Sequence, residues 1–238
     1  MPKIYDNIEA RLLDALRALL PEATACSFCV GYLNLRGWEG IADFIEHLAG
    51  GDEEHCCRVL VGMHRPPEEE MREFQRLHRR QAVVDGPIQA RLRRSMTQSF
   101  RTQLEFGVPT AAAERTLRQL AAQLRARKVR IRAFLRHPLH AKLYLVHRPD
   151  PVAPLIGLVG SSNLTLAGLS EQGELNVDVV EQDAAQKLQR WCDERWNDPL
   201  SARRGSCRLL REGSCKRHFV AENRDTGFDR TNVFIQGS

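Results

Sequence analysis

Hydrophobic and polar residues follow two different periods along the chain, with the change just past its middle. In the first half, apolar side chains recur at helical spacing in residues 7–20 and 37–49, and short apolar runs at 24–33 and 57–63 are typical of buried strands. In the second half, four β-type runs precede a predicted helix at 184–196; the runs are VRIRAF, AKLYLV, LIGLVG and LNVDVV. This order predicts an α/β fold in which a mixed β-sheet is flanked by helices on both faces.

An arginine-rich helical insert interrupts this pattern at about residues 66–126. It opens with Pro66-Pro67 and three glutamates, which favour a helix start because carboxylates complement the positive end of the helix dipole. After Pro199 the chain becomes polar and rich in arginine and glycine. We therefore expect one domain over residues 1–200 and a tail at 201–238 that has little structure of its own.

The composition is that of a globular protein outside the secreted and membrane-spanning classes. The chain has 238 residues, of which 42% are hydrophobic and 27% charged. No stretch reaches the roughly 18 consecutive apolar residues of a membrane helix, and the N-terminus lacks a signal sequence. The seven cysteines are an odd number, and the pair Cys26-x-x-Cys29 lies in an apolar, strand-like run. We expect a cytoplasmic protein with reduced thiols and with neither a metal nor another cofactor.

Positive charge is concentrated in the middle of the chain. Residues 65–148 contain 19 lysines and arginines against seven acidic residues, a net charge of +12, and the segments on both sides are acidic. A phosphate-rich partner would meet this segment, and nucleic acid is the predicted partner, with DNA favoured over RNA. The alternative is that the arginines only solvate helix faces. The arginines expected to contact nucleic acid are Arg91, Arg93, Arg94, Arg101, Arg115, Arg118, Arg132 and Arg136.

Three short motifs in the second half carry the candidate chemistry. His140 and Lys142 lie two apart in a strand-like run, so the imidazole and the ammonium would project from one face. Gly160-Ser-Ser-Asn163 follows the next apolar run, and Glu174 opens the one after it. Ammonium, hydroxyl and amide donors suit the oxygens of a phosphoryl group. The predicted roles are a nucleophile for His140, phosphate ligands for Lys142, Ser161 and Asn163, and an orienting carboxylate for Glu174.

Each motif, taken singly, has a simpler interpretation. An isolated H-x-K is usually a pair of ordinary strand residues, and G-S-S-N-L-T also fits a turn followed by a helix cap. The three motifs nevertheless occur in order within 37 residues. This order favours a site for phosphoryl transfer.

The succession HAKLYL, GSSNLTLAGL and ELN resembles the HKD motif of the phospholipase D superfamily. It is most similar to bacterial nucleases of that superfamily and to phospholipase D-like domains joined to helicases, and the resemblance covers roughly residues 5–200. The resemblance implies a phospholipase D-like fold, metal-independent catalysis through a phosphohistidine, and the same five residues in the same roles. The family pattern often has an aspartate where this chain has His147, which is interpreted as the residue that ends its strand.

The chain has one such motif, whereas members of this superfamily use two histidines, one attacking phosphorus and the other protonating the leaving oxygen. The resemblance therefore implies a homodimer with both His140 side chains at the interface. If the acid came from within the chain, His137 and His147 would be the nearest candidates. A helicase or another ATPase is a further candidate partner, and no membrane is expected. The predicted function is a metal-independent nuclease; the alternatives are a phospholipid phosphodiesterase or phosphatidyltransferase, and a nucleic-acid-binding module without catalysis.

Overall fold

Seven strands form the framework of the described part of the chain. The computed structural model describes residues 2–62, 111–134 and 136–199. The strands in these ranges are β1 (Ile4–Tyr5), β2 (Ala25–Val30), β3 (Cys57–Val61), β4 (Val129–Ala133), β5 (Lys142–His147), β6 (Leu155–Gly160) and β7 (Asn176–Val179). They belong to one sheet with the order β1-β7-β6-β5-β2-β3-β4.

The helices of these ranges alternate with strands in the first part of the chain and close the second part. They are α1 (Leu12–Leu19), α2 (Leu35–Glu39), α3 (Ala111–Arg125) and α4 (Gln182–Trp196), with 3-10 turns at Leu20–Glu22 and Ala42–Ile45 and a π-turn at Ala167–Glu171. None of these helices is long and apolar enough to cross a membrane. Helix α3 lies where the sequence predicts the last helix of the insert. Residues 66–110 of that insert and the predicted tail at 201–238 lie outside the described residues.

The strand directions bring the motifs to one edge of the sheet. Strands β2, β3 and β4 run parallel to one another, and β5 is antiparallel to both of its neighbours, β2 and β6. Strand β7 is antiparallel to β6, and β1 to β7. The C-terminal ends of β2, β3, β4 and β6 therefore share an edge with the N-terminal ends of β5 and β7. We call it the motif edge, because the segments around His140, Asn163 and Glu174 lie on it.

Two hydrophobic clusters pack on opposite faces of the sheet. Helices α1, α2 and α3 cover one face and pack with Tyr144 and Val146 of β5. Helix α4 covers the other face, where its Trp196 belongs to the same cluster as Leu143 and Leu145. The alternation of these four β5 residues between the clusters follows the two-residue period of a strand. The predicted mixed sheet with helices on both faces is confirmed.

The first helix begins later than its apolar spacing predicts. The carboxylate of Asp6 accepts the N–H groups of Ile8 and Glu9, both at 2.8 Å, and this turn precedes the helix. Asn7 has a positive φ of 63°, and its Oδ1 accepts the N–H of Leu12 at 3.0 Å. As a result, Ile8 is 80% exposed, although the spacing predicts it on the buried face.

The helix predicted over residues 37–49 is interrupted. Helix α2 is followed by the 3-10 turn instead of continuing. Gln123 of α3 stabilises the interruption, because its Nε2 donates to the carbonyl oxygen of Ala42 at 2.8 Å and its Oε1 accepts from the indole of Trp38 at 3.0 Å. A buried glutamine from a distant helix thus satisfies groups that hydrophobic spacing alone assigns to one continuous helix.

Gly160 marks a close approach between β6 and the segment that leads into β7. A Cβ at this position would lie 2.1 Å from the carbonyl oxygen of Leu175. We expect Gly160→Ala to lower the free energy of unfolding by about 3 kcal/mol, because backbone rather than a flexible side chain would have to move. Urea unfolding measures the change. Gly173→Ala is the matched control, since its added Cβ would meet only Ile8 at 3.9 Å; an equal effect of both substitutions would contradict the prediction.

Candidate active site

The three motif segments meet at the motif edge. Lys142 is the first residue of β5 and pairs with Val30 of β2. Strand β6 lies on the other side of β5, and its end leads into Ser161 and Asn163. Glu174 lies two residues before β7, the next strand of the sheet. The fold therefore places all five predicted site residues in or next to the ends of three adjacent strands, at one edge of the sheet.

His140 and Lys142 are in direct contact. Nζ of Lys142 lies 2.6 Å from Nε2 of His140 and donates to the carbonyl oxygen of His140 at 3.2 Å. Lys142 is only 6% exposed, whereas His140 is exposed. Burial lowers the pKa of Lys142, and the negative charge of Glu174 opposes this shift. Strand β5 begins at Lys142, so His140 lies before the strand and not within it as predicted. The lysine side chain extends back to the imidazole.

Asn163 is oriented by the main chain of the segment after β2. Its Oδ1 accepts the N–H of Tyr32 at 2.9 Å, and the carbonyl oxygen of Tyr32 accepts the N–H of Leu164 at 3.1 Å. Since a backbone N–H can only donate, this contact fixes which end of the side-chain amide is oxygen. Its Nδ2 then points away from Tyr32 as a donor. The predicted role of Asn163 as a phosphate ligand requires such a donor and stays a prediction.

Ser161 and Glu174 form a pair between the end of β6 and the start of β7. The hydroxyl of Ser161 donates to Oε2 of Glu174 and accepts the N–H of Leu175 at 3.0 Å. A hydroxyl has a single proton to donate, and in this structure it is directed at the carboxylate of Glu174. Ser161 thus fixes the position of Glu174. The predicted interactions of Ser161 with phosphate and of Glu174 with His140 stay predictions.

A match that includes every motif residue decides the family. The family model described as cardiolipin synthase, PLD-like domain, matches residues 57–196, more than half of the chain. The chain belongs to the phospholipase D superfamily. The match confirms the membership of this superfamily that the HKD-like motif predicts. A comparison with curated protein sequences finds no match.

Several solved structures resemble this phospholipase D-like chain at low sequence identity. Nuc from Salmonella typhimurium, described as a phospholipase D family member, has 12% identity and a TM-score of 0.46 over 83% of this chain and 94% of its own. NucT from Helicobacter pylori has 7% identity and a TM-score of 0.43 over 82% of this chain and 94% of its own. A phosphatidylserine synthase from Haemophilus influenzae Rd KW20 has 12% identity and a TM-score of 0.47 over 83% of this chain and 38% of its own. At these values the likeness says nothing about the substrate.

Buried polar side chains hold the loop of the phospholipase D-like motif in place. The hydroxyl of Tyr144 donates to the carbonyl oxygen of Ser162 at 2.9 Å. Nδ2 of Asn176 donates to Oγ of Ser162 at 2.8 Å and to the carbonyl oxygen of Tyr5 at 3.1 Å. The sequence interpretation assigned no role to these side chains. The available signal was that a buried asparagine in an apolar strand requires hydrogen-bond partners.

The two histidines named as alternative acids occupy different places in the phospholipase D-like domain. His147 ends β5, as predicted, and its Nε2 lies 3.1 Å from Oε1 of Gln189 in α4. It therefore lies on the face of the sheet opposite to Lys142, and burial lowers its pKa. His137 is exposed between β4 and β5, where its ring contacts Phe134 at a centroid distance of 4.9 Å. Only His137 of this pair lies at the motif edge.

The arginines predicted to bind nucleic acid differ in their surroundings. The guanidinium of Arg132 stacks on the ring of Trp196 at 4.1 Å, and Arg136 donates to an aspartate after α4 at 2.6 Å. Arg115 and Arg118 are exposed on α3. The contacts of Arg132 are internal ones, and nucleic-acid binding by all four residues stays a prediction. The other arginines of that prediction lie outside the described residues; they are Arg91, Arg93, Arg94 and Arg101.

The ranges that the structure describes contain no group of three or more side chains able to hold a metal ion. Cys26 and Cys29 lie in β2, the buried strand predicted for them, and both are free thiols. Burial raises the pKa of Cys56 to about 11. Burial also raises the pKa of Cys29. Cys29 and Cys56 are therefore protonated near neutral pH, whereas metal binding requires thiolates.

Proposed function

We propose that the chain is a metal-independent phosphodiesterase that hydrolyses nucleic acid through a phosphohistidine on His140. The observation that carries the proposal is the 2.6 Å contact between Nε2 of an exposed His140 and the buried ammonium of Lys142. The imidazole supplies a nucleophile, and the fixed cation stabilises the charge of a phosphoryl group. DNA as the substrate, a helicase as a partner and a cytoplasmic location are the accompanying proposals from the sequence.

The proposed reaction consists of two displacements at phosphorus. In the first, the lone pair of Nε2 attacks, the N–P bond forms, the P–O bond to the leaving group breaks, and an acid protonates the leaving oxygen. In the second, water attacks the phosphohistidine, a base accepts the proton of water, and the N–P bond breaks to restore His140. Lys142 and Nδ2 of Asn163 donate to the nonbridging oxygens, whose charge grows in both transition states.

The acid of the first step is proposed to come from a second copy of the chain. Each chain has one H-x-K motif, and His147 lies on the far face of the sheet. A twofold axis beside the motif edge would bring two His140 side chains to one phosphate. One imidazole would then attack while the other, protonated, donates to the leaving oxygen.

The charge distribution supports nucleic acid over a phospholipid as the substrate. Residues 65–148 carry a net charge of +12, and within the described residues Arg115 and Arg118 are exposed on one helix of this segment. Contacts to phosphates alone are sufficient for binding without sequence preference. An enzyme that acts on bilayer lipids would need an apolar membrane-binding face in addition to positive charge.

Hydrolysis is expected to persist in excess EDTA, because Lys142 and the amide of Asn163 stabilise the charge that a divalent cation stabilises in most nucleases. The assay uses the full chain with single-stranded and duplex DNA, RNA and phospholipid vesicles, each with and without chelator. His140→Ala is the matched control, since it removes the nucleophile and leaves the basic residues in place.

Cleavage of a nucleic acid in EDTA that His140→Ala abolishes would support the proposal. Loss of cleavage on chelation, restored by magnesium, would contradict the mechanism. Binding without cleavage of any substrate would show a binding module, and cleavage confined to vesicles would show a lipid enzyme.

A further inference from the structure

We propose that Lys142 acts on His140 before it acts on a phosphate. In the substrate-free site its ammonium donates to Nε2, selects the tautomer with the proton on Nδ1, and covers the lone pair that attacks phosphorus. When a phosphodiester binds, its oxygen accepts the hydrogen bond of the ammonium in place of Nε2, and the lone pair of Nε2 is free to attack. This inference rests on the proposed function, because it describes how the attacking nitrogen of that reaction is prepared.

The direction of the hydrogen bond follows from the charge of the lysine, whose ammonium also makes a second contact. Nζ of Lys142 also lies 3.2 Å from the carbonyl oxygen of His140, which can only accept. The carboxylate of Glu174 favours the charged form of the lysine, against the effect of burial. An ammonium has three donors and no acceptor. Nε2 at 2.6 Å must therefore accept, and the proton of a neutral imidazole lies on Nδ1.

A carboxylate usually selects the tautomer of a catalytic histidine, and the sequence predicts Glu174 for this role. In this site a second group, the ammonium of Lys142, lies beside the attacking nitrogen. The hydroxyl of Ser161 holds Oε2 of Glu174, whereas the buried ammonium contacts the attacking nitrogen itself. Lys142 is thus a positioning residue for the imidazole and a direct ligand of the phosphate, in that order.

The exchange requires no proton transfer and only a small displacement. Lys142 is 6% exposed, so its side chain is held by the surrounding protein and its charged end faces the exposed imidazole. A phosphate oxygen that accepts from Nζ replaces a neutral acceptor by an anionic one, which makes the stronger hydrogen bond. In the absence of an anion the lone pair stays engaged. The nucleophile is therefore uncovered only when a phosphoryl group is bound beside it.

The test reads the proton on each ring nitrogen of His140 directly. The full chain is labelled with ¹⁵N in its histidines, and two-bond proton–nitrogen correlations are recorded above the ordinary histidine pKa of about 6.5. His140→Gln assigns the signals. We expect Nε2 to be unprotonated and Nδ1 protonated in the wild type. Addition of inorganic phosphate should shift the Nε2 signal, and Lys142→Met should produce that shift without phosphate.

Two controls separate the exchange from a change of fold. Lys142→Arg, whose guanidinium is also only a donor, should keep the proton on Nδ1. His147, which contacts Gln189 on the other face of the sheet, should keep its signals in every variant. A protonated Nε2 in the wild type, or an Nε2 signal that Lys142→Met leaves unchanged, would overturn the inference. Because the spectra require no turnover, they can agree with the inference even if the cleavage assays contradict the proposed function.

Discussion

Replacement of His140 by alanine is expected to lower the rate of nucleic-acid cleavage by about 10⁴-fold or more, as for the loss of other enzymatic nucleophiles. The imidazole would be lost both as the nucleophile of one copy and as the acid of the other. Affinity for nucleic acid should change by less than about threefold, because phosphate contacts made by basic residues dominate it. Single-turnover cleavage and a binding titration at fixed salt measure the two quantities.

The same variant tests whether two copies share the site. Wild-type and His140→Ala chains, mixed in equal amounts and allowed to exchange subunits, should retain about a quarter of the wild-type rate, because only wild-type homodimers remain active. Heterodimers that are half active would instead leave about half of the rate. That outcome, or a fully active monomer in sedimentation, would contradict the shared site and favour His137 as the acid.

Lys142→Met is expected to change activity and stability in opposite directions. Cleavage should fall about 10²- to 10³-fold, because a fixed donor to the developing phosphoryl charge is lost. The free energy of unfolding should rise by about 1–3 kcal/mol, because an apolar side chain replaces a buried charge. Single-turnover kinetics and urea unfolding measure the two effects. A rate within about tenfold of the wild type would contradict the role of the lysine.

The gain in stability should depend on pH in a defined direction. Burial lowers the pKa of Lys142 in the folded protein below its unfolded value of about 10.4. Between these two values the unfolded wild-type chain binds more protons than the folded one, so wild-type stability rises with pH in that window. The advantage of Lys142→Met should therefore be largest near neutral pH and shrink as the pH rises towards about 10.4. An advantage that grows with pH would contradict the assigned shift.

The strands of the second half and the position of the site could be predicted from the sequence. Short apolar runs bounded by turn residues are typical of buried strands. The predicted runs form β4, β5, β6 and β7. The order of the motifs along the chain then predicted that they lie at the ends of neighbouring strands of one sheet. That His140 and Lys142 act together stays a prediction; the structure places their side chains in contact, with the lysine at the first position of β5 and the histidine before the strand.

Features that depend on distant partners could not be predicted. Strand β1 has two residues and exists because Ile4 and Tyr5 pair with β7, some 170 residues away along the chain. The exposure of Ile8 depends on the side chain of Asp6, which competes with helical hydrogen bonds for the N–H groups of the chain. Hydrophobic spacing contains no information about either contact.

The hydrogen-bond partners of the site side chains likewise could not be predicted from the spacing of the motifs. The motif spacing gave Ser161 and Glu174 separate roles, whereas the structure pairs them through one hydroxyl proton. The prediction that Arg132 binds nucleic acid rests on charge counts, which cannot distinguish an exposed guanidinium from one that stacks on Trp196 and binds Glu53. Residue type predicts the chemistry, and only the packing shows which groups already have hydrogen-bond partners.

The covalent intermediate tests the central claim most directly. The full chain is mixed with an oligonucleotide in EDTA, and the reaction is quenched with base within a single turnover. The protein is then digested, and the masses of its peptides are measured by mass spectrometry. We expect an added nucleotidyl or phosphoryl group on the peptide that contains His140, absent from His140→Ala and accumulated when the quench precedes hydrolysis of the N–P bond. Turnover without any adduct, or an adduct on another residue, would contradict catalysis through a phosphohistidine on His140.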